Sequence, residues 1–370
     1  MNHGSPQMTR IKEESITTGG TGGTGKEKRG QTRAFSVASP TTQRVVMKSM
    51  GEASSVLVTG GAGFIGSHLV ERLLGMGRRV VVVDSFCDFY DPAIKRRNVE
   101  LVSADANYTL REGDIRDQAF MEDVFAAGRF DCVVHLAAMA GVRPSIEQPR
   151  LYSDVNINGT LNVLECCRLF GRPRLMFASS SSVYGVNTKV PFSEDDRVER
   201  AISPYAATKL ANEVMCHTYH HLYGFPVVCL RFFTVYGPRQ RPEMAIAKFI
   251  RLIHAGDEVP MFGDGTTRRD YTYCDDIVDG IVASMSLDSG CEVINLGNSR
   301  TVELRELIGL IASALGNKAR IKRLPLQPGD VPITYADIGK ARRLLGYDPG
   351  YPIERGIERA VRWYLDQLCR

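Results

Sequence analysis

A tyrosine and a lysine one helical turn apart are the first residues in this sequence that could perform chemistry together. Tyr205 and Lys209 lie in the segment SPYAATKLANE, and positions i and i+4 of a helix share one face. A free phenol titrates at about pH 10, so a tyrosine acts as a base near neutral pH only where positive charge stabilises the phenolate. The lysine could supply part of that charge. Such a pair taken alone is common by chance and usually belongs to an ordinary surface helix, so its meaning depends on the rest of the chain.

A glycine-rich turn indicates where a cofactor would bind. The sequence TGGAGFIG at 59–66 follows a short apolar run and opens a helical pattern, and Gly60, Gly63 and Gly66 have the spacing G-x-x-G-x-x-G. Glycines there permit a tight turn and the close approach of a pyrophosphate to a helix N-terminus. Asp84 ends the next predicted strand, where a carboxylate can bind the adenosine ribose hydroxyls and would repel a 2′-phosphate. The pattern predicts NAD rather than NADP, and an oxidised nicotinamide would add positive charge near the tyrosine.

Apolar runs that alternate with helical patterns would place these residues at one edge of a sheet. Near-continuous Val, Ile and Leu runs between helices are typical of parallel strands buried on both faces. The predicted fold class is therefore α/β, a Rossmann doubly wound parallel sheet with a smaller C-terminal α/β substrate-binding domain. The predicted strands lie at 56–59, 79–84, 108–113, 131–138, 174–179, 226–232, 260–262 and 320–324. The predicted helices lie at 63–74, 92–103, 117–127, 151–169, 204–223, 244–255, 302–315 and 353–368.

The chain divides into three predicted parts. Residues 1–54 are rich in glycine, threonine and charge, and we expect them to form a disordered basic tail. A cofactor-binding Rossmann domain is expected at 55–233 together with about 275–298. The substrate-binding domain would take 234–274 and 299–370, so the chain would cross between the two domains more than once.

The charge and cysteine content exclude several classes of function. The tail holds eight basic and four acidic residues and so carries the whole net charge of +4; the remaining chain is neutral and gives no support for nucleic-acid binding. The nine cysteines form no C-x-x-C pair and lack ligand spacing with the histidines. We therefore expect reduced thiols, a cytoplasmic protein and no metal site. No apolar run reaches the ~18 residues of a membrane span, and the N-terminus lacks the apolar core of a secretory signal.

Further motifs follow in order along residues 55–370. They are GDIRD at 113–117, HLAA at 135–138, NGT at 158–160, SSSSVYG at 179–185, SPYAATK at 203–209, RFFTVYGPRQRPEMA at 231–245, RRDYTYCDDI at 268–277 and NLGN at 295–298. With the glycine turn, they make the sequence resemble the extended short-chain dehydrogenase/reductase family, specifically its nucleotide-sugar epimerases and dehydratases. Within that family, AGVRPS at 140–145 and the segment at 231–244 most resemble the UDP-glucuronate 4-epimerases.

The resemblance implies a set of cofactor contacts and a set of substrate contacts. Asp114 and Ile115 would flank the adenine, and Lys209 would hold the nicotinamide ribose as well as tuning Tyr205. The residues that would contact NAD are Gly60, Gly63, Phe64, Ile65, Gly66, Asp84, Asp114, Ile115, Leu136, Ala137, Ala138, Asn156, Tyr205 and Lys209. The residues that would contact a UDP-sugar are Arg143, Ser181, Ser182, Thr234, Arg241, Arg269 and Asp330.

Arg269 is expected to pair with the nucleotide diphosphate, since a planar guanidinium suits a bidentate contact. A surface salt bridge is the alternative for this residue. Thr234 stands where galactose-type epimerases usually carry asparagine. Together with Ser181, Ser182 and Arg241 it could hold a C5 carboxylate, although the extra serines could equally form a tight turn at the end of a strand.

The expected reaction follows from the residues beside the reacting oxygen. Tyr205 would remove a proton from a sugar hydroxyl while hydride passes to NAD, and Ser180 would hydrogen-bond the same oxygen. Relatives that eliminate water or remove a carboxylate carry acids in the next positions, whereas this chain has Ser181 and Ser182 there. The ketone would then turn over and take the hydride back on its other face. The implied activity is that of an isomerase: NAD-dependent C4 epimerisation of UDP-glucuronate to UDP-galacturonate through a 4-keto intermediate.

Other outcomes stay open at the level of sequence. The chain could epimerise another UDP-hexose or an N-acetylhexosamine, decarboxylate UDP-glucuronate, or act as an NAD-bound regulatory protein without turnover. Decarboxylation is a specific hazard, because a 4-keto acid loses CO2 when the carbon–carbon bond stands perpendicular to the carbonyl plane, and fixed hydroxyl donors could prevent that alignment. The helices at 151–169 and 204–223 could pair across a two-fold axis, so a homodimer with a four-helix interface is expected.

Overall fold

The computed structural model describes residues 54–288, 290–325 and 331–369. The predicted tail at 1–54 therefore lies outside the described residues, apart from Ser54. The strands of the described part are β1 (Ser55–Thr59), β2 (Arg79–Asp84), β3 (Tyr108–Glu112), β4 (Cys132–His135), β5 (Arg174–Ser180), β6 (Val227–Phe232), β7 (Thr234–Tyr236), β8 (Glu258–Phe262), β9 (Arg268–Tyr273), β10 (Cys291–Leu296), β11 (Thr301–Glu303) and β12 (Arg320–Leu324).

The helices surround these strands. In chain order the α-helices are α1 (Phe64–Gly75), α2 (Pro92–Glu100), α3 (Gln118–Ala127), α4 (Val142–Glu147), α5 (Pro149–Ser153), α6 (Gly159–Leu169), α7 (Pro204–Tyr223), α8 (Ala245–Ala255), α9 (Cys274–Ser284), α10 (Leu304–Leu315), α11 (Gly339–Leu345) and α12 (Ile353–Leu368). A π-helical segment, Asp154–Asn158, joins α5 to α6, and a 3₁₀ turn, Ser181–Tyr184, follows β5. Among the described residues, no helix is both long and apolar enough to cross a membrane.

The main sheet has seven strands in the order β10-β6-β5-β4-β1-β2-β3, and every neighbouring pair is parallel. Side chains alternate between its two faces. Val56 and Val58 of β1 belong to one apolar core, whereas Leu57 belongs to the other. The predicted doubly wound α/β fold is confirmed.

The strand order reverses beside β1, and this reversal creates the site. Strand β1 pairs with β2 on one side and with β4 on the other, with Thr59 opposite His135 in the register. In open parallel sheets a crevice forms at such a switch point, outside the carboxyl ends of the strands. The turn with Gly60 therefore faces the wall that begins at Leu136.

Two smaller sheets complete the fold. One has the order β11-β9-β7 and the other pairs β12 with β8 in parallel. Strand β10, which lies late in the chain, returns to the edge of the main sheet beside β6.

The predicted elements differ from the structure in several places. The strand predicted at 131–138 spans only Cys132–His135, and the helix predicted at 151–169 is interrupted by the π-helical segment. Strands β7, β9, β10 and β11 and helices α4, α9 and α11 were not predicted as elements; β11 covers the start of the helix predicted at 302–315, and the others lie in stretches where polar, glycine or aromatic residues break the apolar pattern.

Candidate active site

A cavity of about 920 Å³ opens at the carboxyl ends of the main strands. Its walls come from the turn after β1, the loops after β2 to β6, the N-terminal part of α7 and the start of β9. The predicted site residues that line it are Gly60, Gly63, Phe64, Ile65, Gly66, Asp84, Asp114, Ile115, Leu136, Ala137, Ala138, Ser180, Ser181, Ser182, Tyr205, Lys209, Thr234, Arg241 and Arg269.

The glycine turn packs against its surroundings too closely for side chains at Gly60 and Gly66. A Cβ on Gly60, whose φ is +71°, would lie 2.7 Å from the Ala137 nitrogen, and one on Gly66 would lie 2.7 Å from the Gly61 Cα. Gly63 is the N-cap of α1, so the first-turn N–H groups of that helix receive no side-chain cap. Unpaired N–H groups at a helix N-terminus suit a phosphate group. The turn therefore fits a dinucleotide pyrophosphate.

Asp84 is held at the end of β2 by backbone donors. One carboxylate oxygen accepts from the Ala62 N–H at 3.1 Å and the other from the Phe86 N–H at 2.9 Å. Burial raises the pKa of this carboxyl, while the nearby Lys95 charge and the two N–H donors oppose that rise. Each carboxylate oxygen keeps a free lone pair that can accept a ribose hydroxyl. The carboxylate is thus fixed in place and still able to bind.

The loop after β3 forms the far end of the cavity. Asp114 accepts hydrogen bonds from the Arg116 guanidinium at 2.7 to 3.1 Å, and Arg116 also reaches Asp154 at 2.9 Å. The guanidinium bonds lower the pKa of Asp114 against the opposing effect of burial. Arg116 was not predicted as a site residue. It ties the loop at Ile115 to the π-helical segment.

Tyr205 and Lys209 lie on one face of α7, which begins at Pro204 with Ser203 as its N-cap; the Ser203 Oγ accepts from the Ala206 N–H at 3.1 Å. The Lys209 Nζ donates to the Ala178 carbonyl at 2.6 Å and lies 5.9 Å from the centre of the Tyr205 ring. Burial lowers the pKa of Lys209 to about 8. Burial also raises the pKa of Tyr205, and a hydrogen bond with Ser180 and the Arg241 charge only partly oppose it. The side chains of the protein alone therefore leave Tyr205 a phenol.

Ser180 at the end of β5 and Ser182 in the following turn form a directed hydrogen-bond chain. The Ser182 hydroxyl donates to the Ser180 Oγ at 2.7 Å, and the Ser182 N–H donates to the same oxygen at 3.2 Å. Because the Ser180 oxygen accepts both bonds, its own proton is available to the Tyr205 oxygen. Sequence reasoning assigned Ser182 to the substrate carboxylate; in the structure its hydroxyl is turned towards Ser180.

Arg241 also lines the cavity. Its Nε is 3.2 Å from the Glu243 carboxylate, and its guanidinium lies 5.5 Å from the centre of the Phe89 ring. Phe89 comes from the loop after β2 and also lines the cavity, so this contact joins two segments of the cavity wall.

Among the described residues, two predicted site residues do not line the cavity, and a third prediction cannot be placed. Arg143 is exposed, with its guanidinium 4.7 Å from the centre of the Phe262 ring. Asn156 is buried and bonds the backbone of Met139 instead. Asp330 lies outside the described residues.

Several residues that line the cavity were not predicted from the sequence. They are the loop residues Cys87, Asp88, Phe89 and Tyr90, together with Lys95, Arg116, Met244, Val331 and Thr334. The aromatic pair Phe89–Tyr90, directly after the strand that ends in Asp84, was the available signal for the first group.

One cluster of side chains outside the cavity lining has metal-ligand chemistry. Ligand atoms of His68, Cys274 and Asp275 lie within 4.8 Å of one another. The His68 Nε2 already contacts the Pro238 carbonyl oxygen at 3.0 Å, and Asp275 lies 3.6 Å from the Arg359 guanidinium. These contacts give the cluster a structural explanation.

Comparison with known proteins assigns the family. A family model described as GDP-mannose 4,6 dehydratase matches residues 57–360. UDP-glucuronate 4-epimerase 3 of Arabidopsis thaliana is 44% identical over 330 residues, covering 84% of this chain and 76% of the relative. The UDP-glucuronate 4-epimerase of Thermodesulfobacterium geofontis is 42% identical over 313 residues, covering 84% of this chain and 96% of the relative.

One similar solved structure contains a bound cofactor and a bound substrate. The UDP-glucuronic acid 4-epimerase of Bacillus cereus, in complex with UDP-glucuronic acid and NAD, superposes with a TM-score of 0.80 at 37% identity. The match covers 85% of this chain and 99% of that one. The fold of this chain is therefore the fold of that structure.

Proposed function

The chain belongs to the GDP-mannose 4,6 dehydratase family of NAD-dependent epimerases and dehydratases, and we propose that it is an isomerase that inverts C4 of UDP-glucuronate to give UDP-galacturonate. The observation that carries this proposal is the arrangement around Tyr205. A tyrosine, a lysine and a serine meet at one cavity, and the two positions after the serine carry hydroxyls rather than carboxyls.

The residues present fit NAD. The side-chain-free turn at Gly60 and Gly66 accommodates the pyrophosphate, and the fixed carboxylate of Asp84 accepts the adenosine ribose hydroxyls. NAD held by these residues would supply the acceptor for a hydride from the sugar carbon and the source of the hydride returned to the ketone. Asp114 and Ile115 at one end and Leu136 to Ala138 at the other complete the proposed contacts, with Asn156 supporting the wall through Met139.

The side chains of the protein move and hold the proton. Tyr205 takes the C4 hydroxyl proton and gives it back at the end of the cycle. The Ser182 hydroxyl donates to Ser180, so the single Ser180 proton is available either to the Tyr205 oxygen or, with a sugar bound, to the reacting sugar oxygen. Lys209 is fixed by the Ala178 carbonyl, which leaves two ammonium protons for the nicotinamide ribose.

The absence of an acid beside Ser180 selects epimerisation over elimination. Loss of water from the ketone requires a group that carries the proton, and positions 181 and 182 are both serine. The ketone then turns and is reduced on its other face, with no net oxidation. We propose that Thr234 and Arg241, together with Ser181 and Ser182, restrain the C5 carboxylate during this step.

The diphosphate contact completes the proposed substrate site. Arg269 lies at the start of β9 and lines the cavity, where a guanidinium can pair with two phosphate oxygens. Arg143 and Asp330 remain predicted substrate contacts.

A product assay tests the function. Purified protein is incubated with UDP-glucuronate, and the products are separated by chromatography. We expect UDP-galacturonate, and we expect Tyr205→Phe to lower turnover by about 10²–10⁴-fold while NAD stays bound. Tyr223→Phe, at the other end of α7, is the matched control and should keep wild-type activity.

Each other product points to a different activity. UDP-xylose would identify a decarboxylase. Turnover of UDP-N-acetylhexosamines or of an uncharged UDP-hexose, with none of UDP-glucuronate, would identify a sister epimerase. Retained NAD with no turnover of any of these sugars would indicate a binding protein.

We also propose a homodimer formed through α6 and α7. Their outer faces expose Leu161, Val214 and Leu222, the last two with 60% of their surface accessible. Paired across a two-fold axis, these apolar side chains would be buried. Val214→Glu should give a monomer by light scattering, and Leu101→Glu, at a more exposed position elsewhere on the surface, should not. A dimeric Val214→Glu variant would refute the interface.

Two broader predictions from sequence stay as proposals. The first is the division into an NAD-binding part at 55–233 with about 275–298 and a nucleotide-sugar-binding part. The second is a cytoplasmic location, which rests on the thiol content of the sequence.

A further inference from the structure

His135 is a buried histidine that the reaction does not use. It ends β4, has 1% of its surface exposed, and lies beneath the cavity rather than in its lining. Both ring nitrogens have partners: Nδ1 lies 2.6 Å from the Thr59 Oγ1, and Nε2 lies 3.0 Å from the Thr160 Oγ1. A buried imidazole with both nitrogens hydrogen-bonded can fix the relative position of the two segments that hold its partners.

The direction of these bonds follows from counting protons. The Thr160 hydroxyl donates its one proton to the Asn156 carbonyl at 2.6 Å, so its oxygen must accept from the imidazole. The proton of His135 is therefore on Nε2, and Nδ1 is an acceptor. The Thr59 hydroxyl donates to Nδ1, and its oxygen accepts from the Ala137 N–H at 3.3 Å. The result is one directed chain from Thr59 through the ring to the helix segment at Asn156.

The neutral ring suits this place. Burial and the Lys209 ammonium together lower the pKa of His135 to about 3. A charged ring would offer donors on both sides and would add a second cation beneath the site.

This hydrogen-bond chain joins two parts of the site: the cofactor wall at one end and the helix that carries Tyr205 at the other. Thr59 directly precedes the glycine turn, and Ala137 belongs to the wall that begins after β4. At the other end, the Asn156 side chain accepts from the Met139 N–H at 2.8 Å and donates to the Thr208 hydroxyl at 3.0 Å. The Thr208 hydroxyl donates to the Tyr205 carbonyl at 2.8 Å.

We infer that His135 is a positioning residue that sets the cofactor wall against the helix carrying Tyr205 and Lys209. The inference rests on the proposed function for its catalytic consequence. Its consequence for cofactor binding stands separately, because the same walls would hold NAD whichever sugar is turned over.

Three substitutions separate the two hydrogen bonds from packing. His135→Gln can place an amide N–H near Nε2 and keep the bond to Thr160. His135→Asn can place an amide oxygen near Nδ1 and keep the bond to Thr59. His135→Phe keeps the ring and loses both bonds. His221→Gln, at the exposed end of α7, is the matched surface control.

The readouts are NAD content after purification, NAD affinity, and kcat and KM for UDP-glucuronate. We expect the phenylalanine variant to be the weakest, with NAD affinity and kcat reduced by about tenfold to hundredfold, because misplacement of about 1 Å has effects of that size. The two amide variants should be intermediate. KM should stay within about twofold, since the diphosphate contact lies on another strand.

The order of the variants decides the matter. If His135 only fills space, the phenylalanine variant will be the mildest and the shorter amides the worst, which would overturn the inference. Equal NAD affinity in all three variants and wild type would also overturn it. If His135→Phe does not fold, Thr160→Val replaces it, because it removes the acceptor for Nε2 while preserving the ring.

A wild-type protein without activity on UDP-glucuronate would refute the proposed function alone. NAD affinity would then still rank the variants and decide the inference about His135.

Discussion

Alanine at Gly60 is the sharpest test of the cofactor turn. Gly60 has a φ of +71°, and an added Cβ would lie 2.7 Å from the Ala137 nitrogen, 2.9 Å from its Cα and 3.0 Å from the Leu136 carbonyl carbon. These are backbone atoms of the opposite wall, so no side chain can swing away. Gly77 has the same φ of +71°, but an added Cβ there would meet nothing within 4 Å. Comparing Gly60→Ala with Gly77→Ala therefore separates the cost of backbone strain from the cost of steric overlap.

The expected magnitudes follow from that geometry. Alanine in the left-handed region costs about 1–2 kcal/mol at either position. Only at Gly60 must the two walls also separate, which adds about 1–3 kcal/mol, as for other overpacked sites. The free energy of unfolding should therefore fall by about 1–2 kcal/mol in Gly77→Ala and by about 2–5 kcal/mol in Gly60→Ala. If separation of the walls distorts the cofactor site, NAD affinity should fall by about fivefold to hundredfold in Gly60→Ala alone.

Urea unfolding of the NAD-free proteins and titration of NAD by calorimetry give the two quantities. Equal destabilisation of the two variants would mean that the walls do not meet as the structure shows. Wild-type NAD affinity in Gly60→Ala, despite its greater destabilisation, would refute the assignment of this turn to the pyrophosphate.

Three further predictions concern the reaction itself. First, kcat/KM should fall as pH rises through about 8, because burial lowers the pKa of Lys209 to about 8 and the reaction uses its charged form; a pH–rate profile with no alkaline limb until about pH 10, the ordinary value for a lysine, would contradict this. Second, removal of NAD should leave the Tyr205 pKa above its ordinary value, as burial raises it; ultraviolet difference titration of wild type against Tyr205→Phe measures it, and a lower value in NAD-free protein would disprove the electrostatic account. Third, Ser182→Ala should lower kcat by about tenfold through loss of its 2.7 Å bond to Ser180. Product analysis of that variant separates two roles, since a new pentose product would support restraint of the carboxylate, and a lower kcat without pentose would support orientation of Ser180 only.

The sequence predicted the parts of the fold in which each residue's environment follows from its own type. RVVVVD reads as a buried strand because a parallel strand covered on both faces needs apolar side chains at every position, and the structure has β2 at those residues. The polar run RRDYTY gave no such signal, yet β9 is buried from Asp270 onwards. The Asp270 carboxylate accepts N–H bonds from Asn298, Ser299 and Ala336. Those donors lie far along the chain, so the pattern around Asp270 could not reveal them.

Contacts with distant residues also explain why the helix predicted at 151–169 is interrupted. The helical pattern at 151–169 is continuous in the sequence, but the structure has π-helical turns at Asp154–Asn158. Asn156 within them bonds both the N–H and the carbonyl of Met139, which belongs to another segment. This also explains why Asn156 supports the cavity wall without lining it.

Site residues were predictable where backbone geometry demands a residue type. The turn requires glycines, and the end of β2 favours a carboxylate. The residues predicted on these grounds all line the cavity. The direction of a hydroxyl was not predictable, because the bond from Ser182 to Ser180 depends on the 3₁₀ turn after β5. The stacking of Arg143 on Phe262 likewise depends on a contact between distant segments.

Arg241 links the strength of the base to the identity of the substrate. Its charge favours the Tyr205 phenolate, whereas burial disfavours it. The same guanidinium lies beside Glu243 and Phe89 at the proposed substrate end. A substrate carboxylate that pairs with Arg241 would take up part of the positive charge acting on Tyr205, and an uncharged sugar would leave it in place. Selectivity for a uronic acid in this site would therefore come from binding the carboxylate and restraining the sugar ring and its ketone rather than from a stronger base.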